Sequence, residues 1–176
     1  MKRKLVVLAA IVLAALLIFL LLPKSSMIHV QTTVYEYALN QEEPIAEHEI
    51  SIGGRFTKRL FREDVFSGHM LVSGYPETDG ASVYIQFWKD HDFGTISYQQ
   101  GGVPVWDTEL EQIYANKDFS KFAIQLFEVA QDEEAIHSAW NSETGRVLCP
   151  APDYATMVEL CTELGMPISA EGEKTE

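Results

Sequence analysis

Among the side chains able to move a proton, hold a metal or attack a bond, the histidines come first. There are five, His29, His48, His69, His91 and His137. None stands at metal-ligand spacing from another histidine, a cysteine or a carboxylate. The densest local set, Asp90-His91-Asp92, reads as a polar hairpin turn, because a calcium loop needs more widely spaced oxygens and a central glycine. Serine nucleophile elbows are absent. Gly53-Gly54 and Gly101-Gly102 are bare pairs between strands rather than phosphate-cradling loops. Carboxylates are abundant, with Glu42, Glu43, Glu47, Glu49 and the pairs Glu109/Glu111 and Glu133/Glu134, but no spacing selects an acid and a base. The sequence therefore marks no catalytic residue, no metal site and no cofactor.

Two sets suit binding. Arg55, Lys58, Arg59 and Arg62 fall within eight positions, a local reversal of sign in an acidic chain. Such a stretch fits an anionic envelope polymer, a phosphorylated ligand or an acidic partner. The plainer alternative is a solvated stretch paired with Glu63, Asp64 or distant carboxylates. Tyr84, Trp88, Tyr98 and Trp106 are read as lying off the face of Val83, Ile85 and Phe87. Exposed together, they would form an aromatic platform for a sugar or peptide; otherwise both faces of the sheet are buried. Cys149 and Cys161 are the only cysteines. A predicted helix begins just after Cys149 and carries Cys161 two turns in, beyond the ~7 Å Cα reach of a disulfide unless the chain doubles back, so two buried free thiols are expected, with a disulfide as the alternative.

The elements that must position these residues are mostly strands. Met27 to Ala38, Gly68 to Gly74, Ala81 to Trp88, Gly94 to Gln99, Val103 to Asp107 and Lys121 to Glu128 are β-branched, aromatic or alternating. Glu47 to Ile52 alternates too, and Gly53-Gly54 either closes a hairpin or sits within a longer strand reaching Leu60. Tyr75 to Gly80 is a loop with Pro and Asp-Gly turn chemistry. Thr108 to Lys117 is ambiguous. Ile136 to Trp140 and Arg146 to Cys149 read as a hairpin around Ser142 to Gly145. Asp153 is a good N-cap for a helix over Tyr154 to Leu164, and Gly165 a good C′ residue. Seven to nine strands and one closing helix predict a mainly β domain, an antiparallel sandwich or curved meander sheet with a C-terminal helix.

Upstream, Leu5 to Leu22 has no charged or polar side chain in 18 positions. As a helix it would span roughly 27 Å, close to the ~30 Å hydrocarbon core of a bilayer. It is longer than a signal-peptide core and lacks a small-x-small cleavage site, so an uncleaved transmembrane anchor is expected, with a cleaved signal and a secreted domain as the alternative. Lys2, Arg3 and Lys4 precede the run, against Lys24 just after it, which places the N-terminus in the cytoplasm. The organisation read from the sequence is a basic cap 1–4, an anchor 5–22, a linker 23–27, an extracytoplasmic domain 28–168 and a disordered acidic tail 169–176. The 176-residue chain has net charge −13; without Lys2, Arg3 and Lys4, ten basic face 26 acidic residues, net −16. That balance argues against nucleic acid and against the domain lying flat on anionic lipid. The absence of an Asn-x-Ser/Thr sequon favours a bacterial over a eukaryotic surface protein.

The chain resembles a loosely defined group of small membrane-anchored extracytoplasmic proteins of Gram-positive bacteria with no assigned function. The resemblance is carried by the basic and apolar start, Leu60 to Tyr75 (LFREDVFSGHMLVSGY), GTISY from Gly94, DFSKFAIQLFE from Asp118 and PAPDYATMVELCTELG from Pro150. It implies location and a β-rich outer domain, and brings no catalytic residue. The expected function is a non-enzymatic module, tethered to the bilayer through residues 5–22, that binds an envelope ligand or partner protein. The alternatives are a tethered hydrolase acting on envelope material and an accessory subunit recruited through its transmembrane helix. A cleft with inward carboxylates or a His–carboxylate pair would favour the enzyme; exposed aromatics beside the basic stretch would favour binding.

Overall fold

A computed structural model of the chain describes residues 12–13, 22–106, 108–131, 136–141 and 144–168. The predicted anchor lies outside these except for Val12, Leu13 and Leu22, and the predicted tail lies wholly outside. Among the described residues no helix is long and apolar enough to cross a membrane.

The strands are β1 Lys24–Ala38, β2 Ala46–Lys58, β3 Asp64–Val72, β4 Ser82–Phe87, β5 Gly94–Gln100, β6 Val103–Val105, β7 Leu110–Ala115, β8 Phe122–Leu126, β9 Glu128–Gln131, β10 Ile136–Ala139 and β11 Arg146–Cys149, followed by helix α1 Tyr154–Glu163. The expected sandwich is not formed. β1, β2, β3, β4, β5, β7, β8 and β11 pair each with the next, and β11 returns to β1, closing an eight-stranded antiparallel barrel. Closure gives each barrel strand a partner on both sides over part of its length, β1 meeting β11 at Tyr35–Ala38, with no need of a second sheet. β6 is a short addition to β5. The hairpin read around Ser142 is also corrected: β10 pairs with β9, whereas β11 joins β1 and β8. β1 begins at Lys24, opposite Lys58, so residues 24–27, expected to be linker, belong to the barrel.

Strand parity decides which residues face inward. The even positions Ile28, Val34, Ile50, Ile52, Phe56, Phe66, Met70 and Val72 fill the interior with Val83, Ile85, Ile96, Tyr98, Ile113, Phe122, Ile124 and Leu148. β2 runs unbroken through Gly53-Gly54, where β3 comes close: a Cβ at Gly54 or Gly68 would collide with the facing backbone. Phe119 has positive φ (57°). Its ring closes one end of the barrel against Phe66, Phe87 and Phe56, with centroids 5.2, 5.9 and 6.3 Å away.

α1 covers the outside of β1, β11, β8 and β7. Met157 and Cys161 pack on Tyr37, Tyr114, Ala123, Val147 and Cys149. The Asp153 side chain accepts from Thr156 N at 2.9 Å. At the other end, Gly165 N donates to Thr162 O and Met166 N to Cys161 O, with Gly165 at φ 74°, a Schellman ending. Both cysteines are buried and free.

Candidate functional site

The polar exceptions to the inward-facing pattern gather at the end of the barrel opposite Phe119. Glu36 lies on β1 with the parity of Val34, His48 on β2 with that of Ile50, and Arg146 on β11 with that of Leu148. The strand ends bring them together with Tyr75 from the β3–β4 loop and Glu109 from just before β7. With Gly74 and Glu77 they line a cavity of about 360 Å³.

Glu36 is the hub, with only 7% of its side chain exposed. Its Oε1 accepts from Arg146 Nη1 at 2.8 Å, and its Oε2 from Tyr75 Oη at 3.1 Å. His48 Nε2 stands 3.3 Å from the same Oε2, while His48 Nδ1 meets the Ser73 carbonyl. Arg146 Nη2 donates to Glu109. A buried carboxylate is tolerated only when it is paired and hydrogen-bonded, and here three side chains from three elements do so. Burial opposes the Arg146 charge, but the bonds to Glu36 and Glu109 outweigh it and hold the guanidinium above its ordinary pKa. Burial, followed by the Glu36 charge, pushes the Tyr75 phenol up.

Tyr98 adds a further polar group to this half of the barrel. The residue is 1% exposed, and its hydroxyl has no hydrogen-bond partner among the described residues. Burial and then the Glu77 charge push its phenol up. A phenolic hydroxyl buried without a partner is costly and calls for an account.

The aromatic set predicted from sequence therefore divides. Tyr98 faces inward, opposite Val83, whereas Tyr84, Trp88 and Trp106 are exposed outside. Trp88 Nε1 donates to Thr95 Oγ1 at 3.1 Å. Arg55 pairs with Ser67, which pairs with Tyr84, so an exposed aromatic stands two strands from the first residue of the basic stretch. Lys58 ends β2; Arg59 and Arg62 are in the β2–β3 loop, where Asp64 accepts from the Arg59 backbone N–H at 2.8 Å. The four basic residues are thus together, on the barrel end away from the Glu36 network.

The network itself was missed in the sequence. The signal was present as an ionisable residue with the parity of the apolar face: Glu36 after Val34, His48 before Ile50, Arg146 before Leu148. Among the described residues no group of three or more His, Cys, Asp or Glu is arranged to hold a metal ion. No family model, no curated protein and no solved structure matches this chain.

Proposed function

We propose that the chain is a membrane-tethered extracytoplasmic binding module, held in the bilayer by residues 5–22 with its N-terminus cytoplasmic. Its barrel mouth takes a positively charged or donor-rich segment of an envelope ligand or partner protein. The observation that carries this reading is the convergence of Glu36, His48, Tyr75, Glu109 and Arg146 on one open cavity. Three carboxylates, Glu36, Glu77 and Glu109, line it against one guanidinium and one imidazole, so its chemistry favours cations and donors. The −16 charge of the chain beyond Lys4 adds a long-range field of the same sign.

The test is photocrosslinking of the full-length protein in native membranes, with a photoreactive residue at Glu77 or, as control, at Glu159 on the exposed side of α1. The expected result is an adduct from position 77 alone, competed by a lysine-rich peptide and weakened by Glu109→Gln. Identical adducts from both positions, or none from 77, would overturn the reading.

One observation favours a tethered hydrolase instead: a His–carboxylate pair at 3.3 Å in a cleft with further carboxylates. Its chemistry is constrained, because both His48 nitrogens face acceptors and Glu36 already serves Arg146, Tyr75 and His48. Glu109, with 38% of its side chain exposed, is the more exposed of the two carboxylates bonded to Arg146 and the candidate for acid–base work. Turnover of labelled envelope material, abolished by Glu109→Gln, would replace the binding reading.

A further inference from the structure

The opposite end of the barrel carries chemistry that the mouth does not use. There β1 begins, and the β2–β3 and β4–β5 loops meet: Lys89 Nζ donates to the Arg59 and Leu60 carbonyls at 2.7 and 2.6 Å. Lys24 pairs with Lys58 in the first rung of β1–β2. Lys24, Lys58, Arg59, Arg62 and Lys89 therefore cluster on the β1–β4 side of this pole, where Glu63, Asp64, Asp90 and Asp92 share their loops and Asp118 stands beside Phe119 in the β7–β8 loop. Asp64 is turned onto the Arg59 backbone. Two large apolar side chains protrude between the cations, Leu60 at 56% and Phe61 at 81% exposure. The mouth end instead holds Glu42, Glu43, Glu47, Glu77, Asp79 and Glu109 on its loops and strand ends, so charge is separated along the barrel.

We infer that this pole docks on the anionic headgroups of the bilayer, with Phe61 and Leu60 entering the interfacial layer and the basic side chains contacting lipid phosphates. The inference rests on reading residues 5–22 as the membrane anchor. It commits the barrel to standing on its Phe119 end with the mouth directed away. Only Pro23 separates Leu22 from the first residue of β1. Two Cα steps reach at most ~7 Å, about the thickness of one headgroup layer, roughly 5–7 Å. A chain leaving the hydrocarbon at Leu22 has therefore placed Lys24, and Lys58 beside it, at phosphate level. The acidic net charge opposes a flat-lying barrel, but not one presenting only its basic pole. Protruding aromatic and aliphatic side chains beside cations are the composition of an interfacial contact.

The full-length chain with Phe61→Cys tests this, labelled with an environment-sensitive fluorophore and reconstituted into vesicles. Burial pushes the native thiols Cys149 and Cys161 up to about 12, so the engineered cysteine takes the label. The vesicles are phosphatidylcholine alone or mixed with phosphatidylglycerol, each with headgroup-level nitroxide quenchers. A label at Val103→Cys, in the short strand after β5, is the control. Quenching at 61 and not at 103, only in the anionic vesicles, supports docking. Lys58→Gln, Arg59→Gln and Arg62→Gln should each weaken it about fivefold. Equal quenching in both lipids, or none in anionic vesicles while the protein floats with them in 1 M salt, overturns docking and leaves the anchor standing. Failure to float in 1 M salt overturns the anchor, and docking with it.

Discussion

Glu36 shows how one residue sets the character of a barrel end. Its carboxylate is nearly removed from water, so it needs partners, and Arg146, Tyr75 and His48 provide them. Arg146→Met should lower stability by about 3 kcal/mol, since removing one partner of a buried pair leaves the other charge uncompensated. The double variant Glu36→Gln/Arg146→Met should recover much of that, because the neutral amide keeps an acceptor for the Tyr75 hydroxyl. Urea unfolding of the wild type and the two variants measures both effects; equal losses in single and double variants would show that Arg146 acts through packing alone. The cysteines follow opposite logic, as neutral groups that fit their surroundings. Burial raises both thiols from 9.0 to about 12. Thiol reagents at pH 8 should label neither until the protein unfolds. The folded thiols hold their protons where unfolded ones lose them, so stability from this source is complete below about pH 9. It should fall as pH rises from there towards about 12.

At the scale of elements, α1 was the most legible part of the chain. Asp153 and Gly165 each carry a local signal, and each caps the helix as read. Asp153→Ala should lower the Tm, and the cause is testable through pH. The Thr156 backbone and side-chain bonds hold the Asp153 carboxyl below the usual aspartate range. Its contribution is present above the ordinary aspartate pKa, ~3.9, and is lost as pH falls through the lower folded value. The Tm gap between wild type and variant should therefore close in acid; a gap constant down to pH 2 would assign the effect to something other than the charged cap. Strands with clean alternation, such as Ser82–Phe87 and Phe122–Leu126, were legible for the same reason. β2 was left open at Gly53-Gly54, because a glycine pair signals a turn as readily as the close approach to Gly68. The Arg146 strand was paired with the wrong neighbour, since turn residues between two short strands say nothing of partners distant in sequence.

For the whole molecule, the sequence reading stopped at a mainly β domain, because closure is a property of register. The β11–β1 pairing that turns a meander into a barrel joins residues as far apart as Tyr35 and Cys149, and no local pattern encodes it. Closure also explains why the site was hidden: a sandwich has faces, whereas a barrel has ends, and inward-facing Glu36, His48 and Arg146 meet only at an end. The two ends then differ, one plugged by Phe119 and flanked by Lys24, Lys58, Arg59, Arg62 and Lys89, the other open, polar and acidic. If a short tether keeps the basic end on the bilayer, tether length becomes a control on orientation. Ten Gly/Ser residues inserted between Pro23 and Lys24 would give a flexible link with root-mean-square length of roughly 17 Å. The pole's local concentration at the headgroups would fall with no contact altered. Lipid quenching of a label at position 61 should drop several-fold in the insertion variant, while the urea midpoint stays at the wild-type value. Unchanged quenching would mean that the basic pole binds lipid strongly enough to need no tether. A shifted midpoint would show that the chain before Lys24 supports the barrel fold itself.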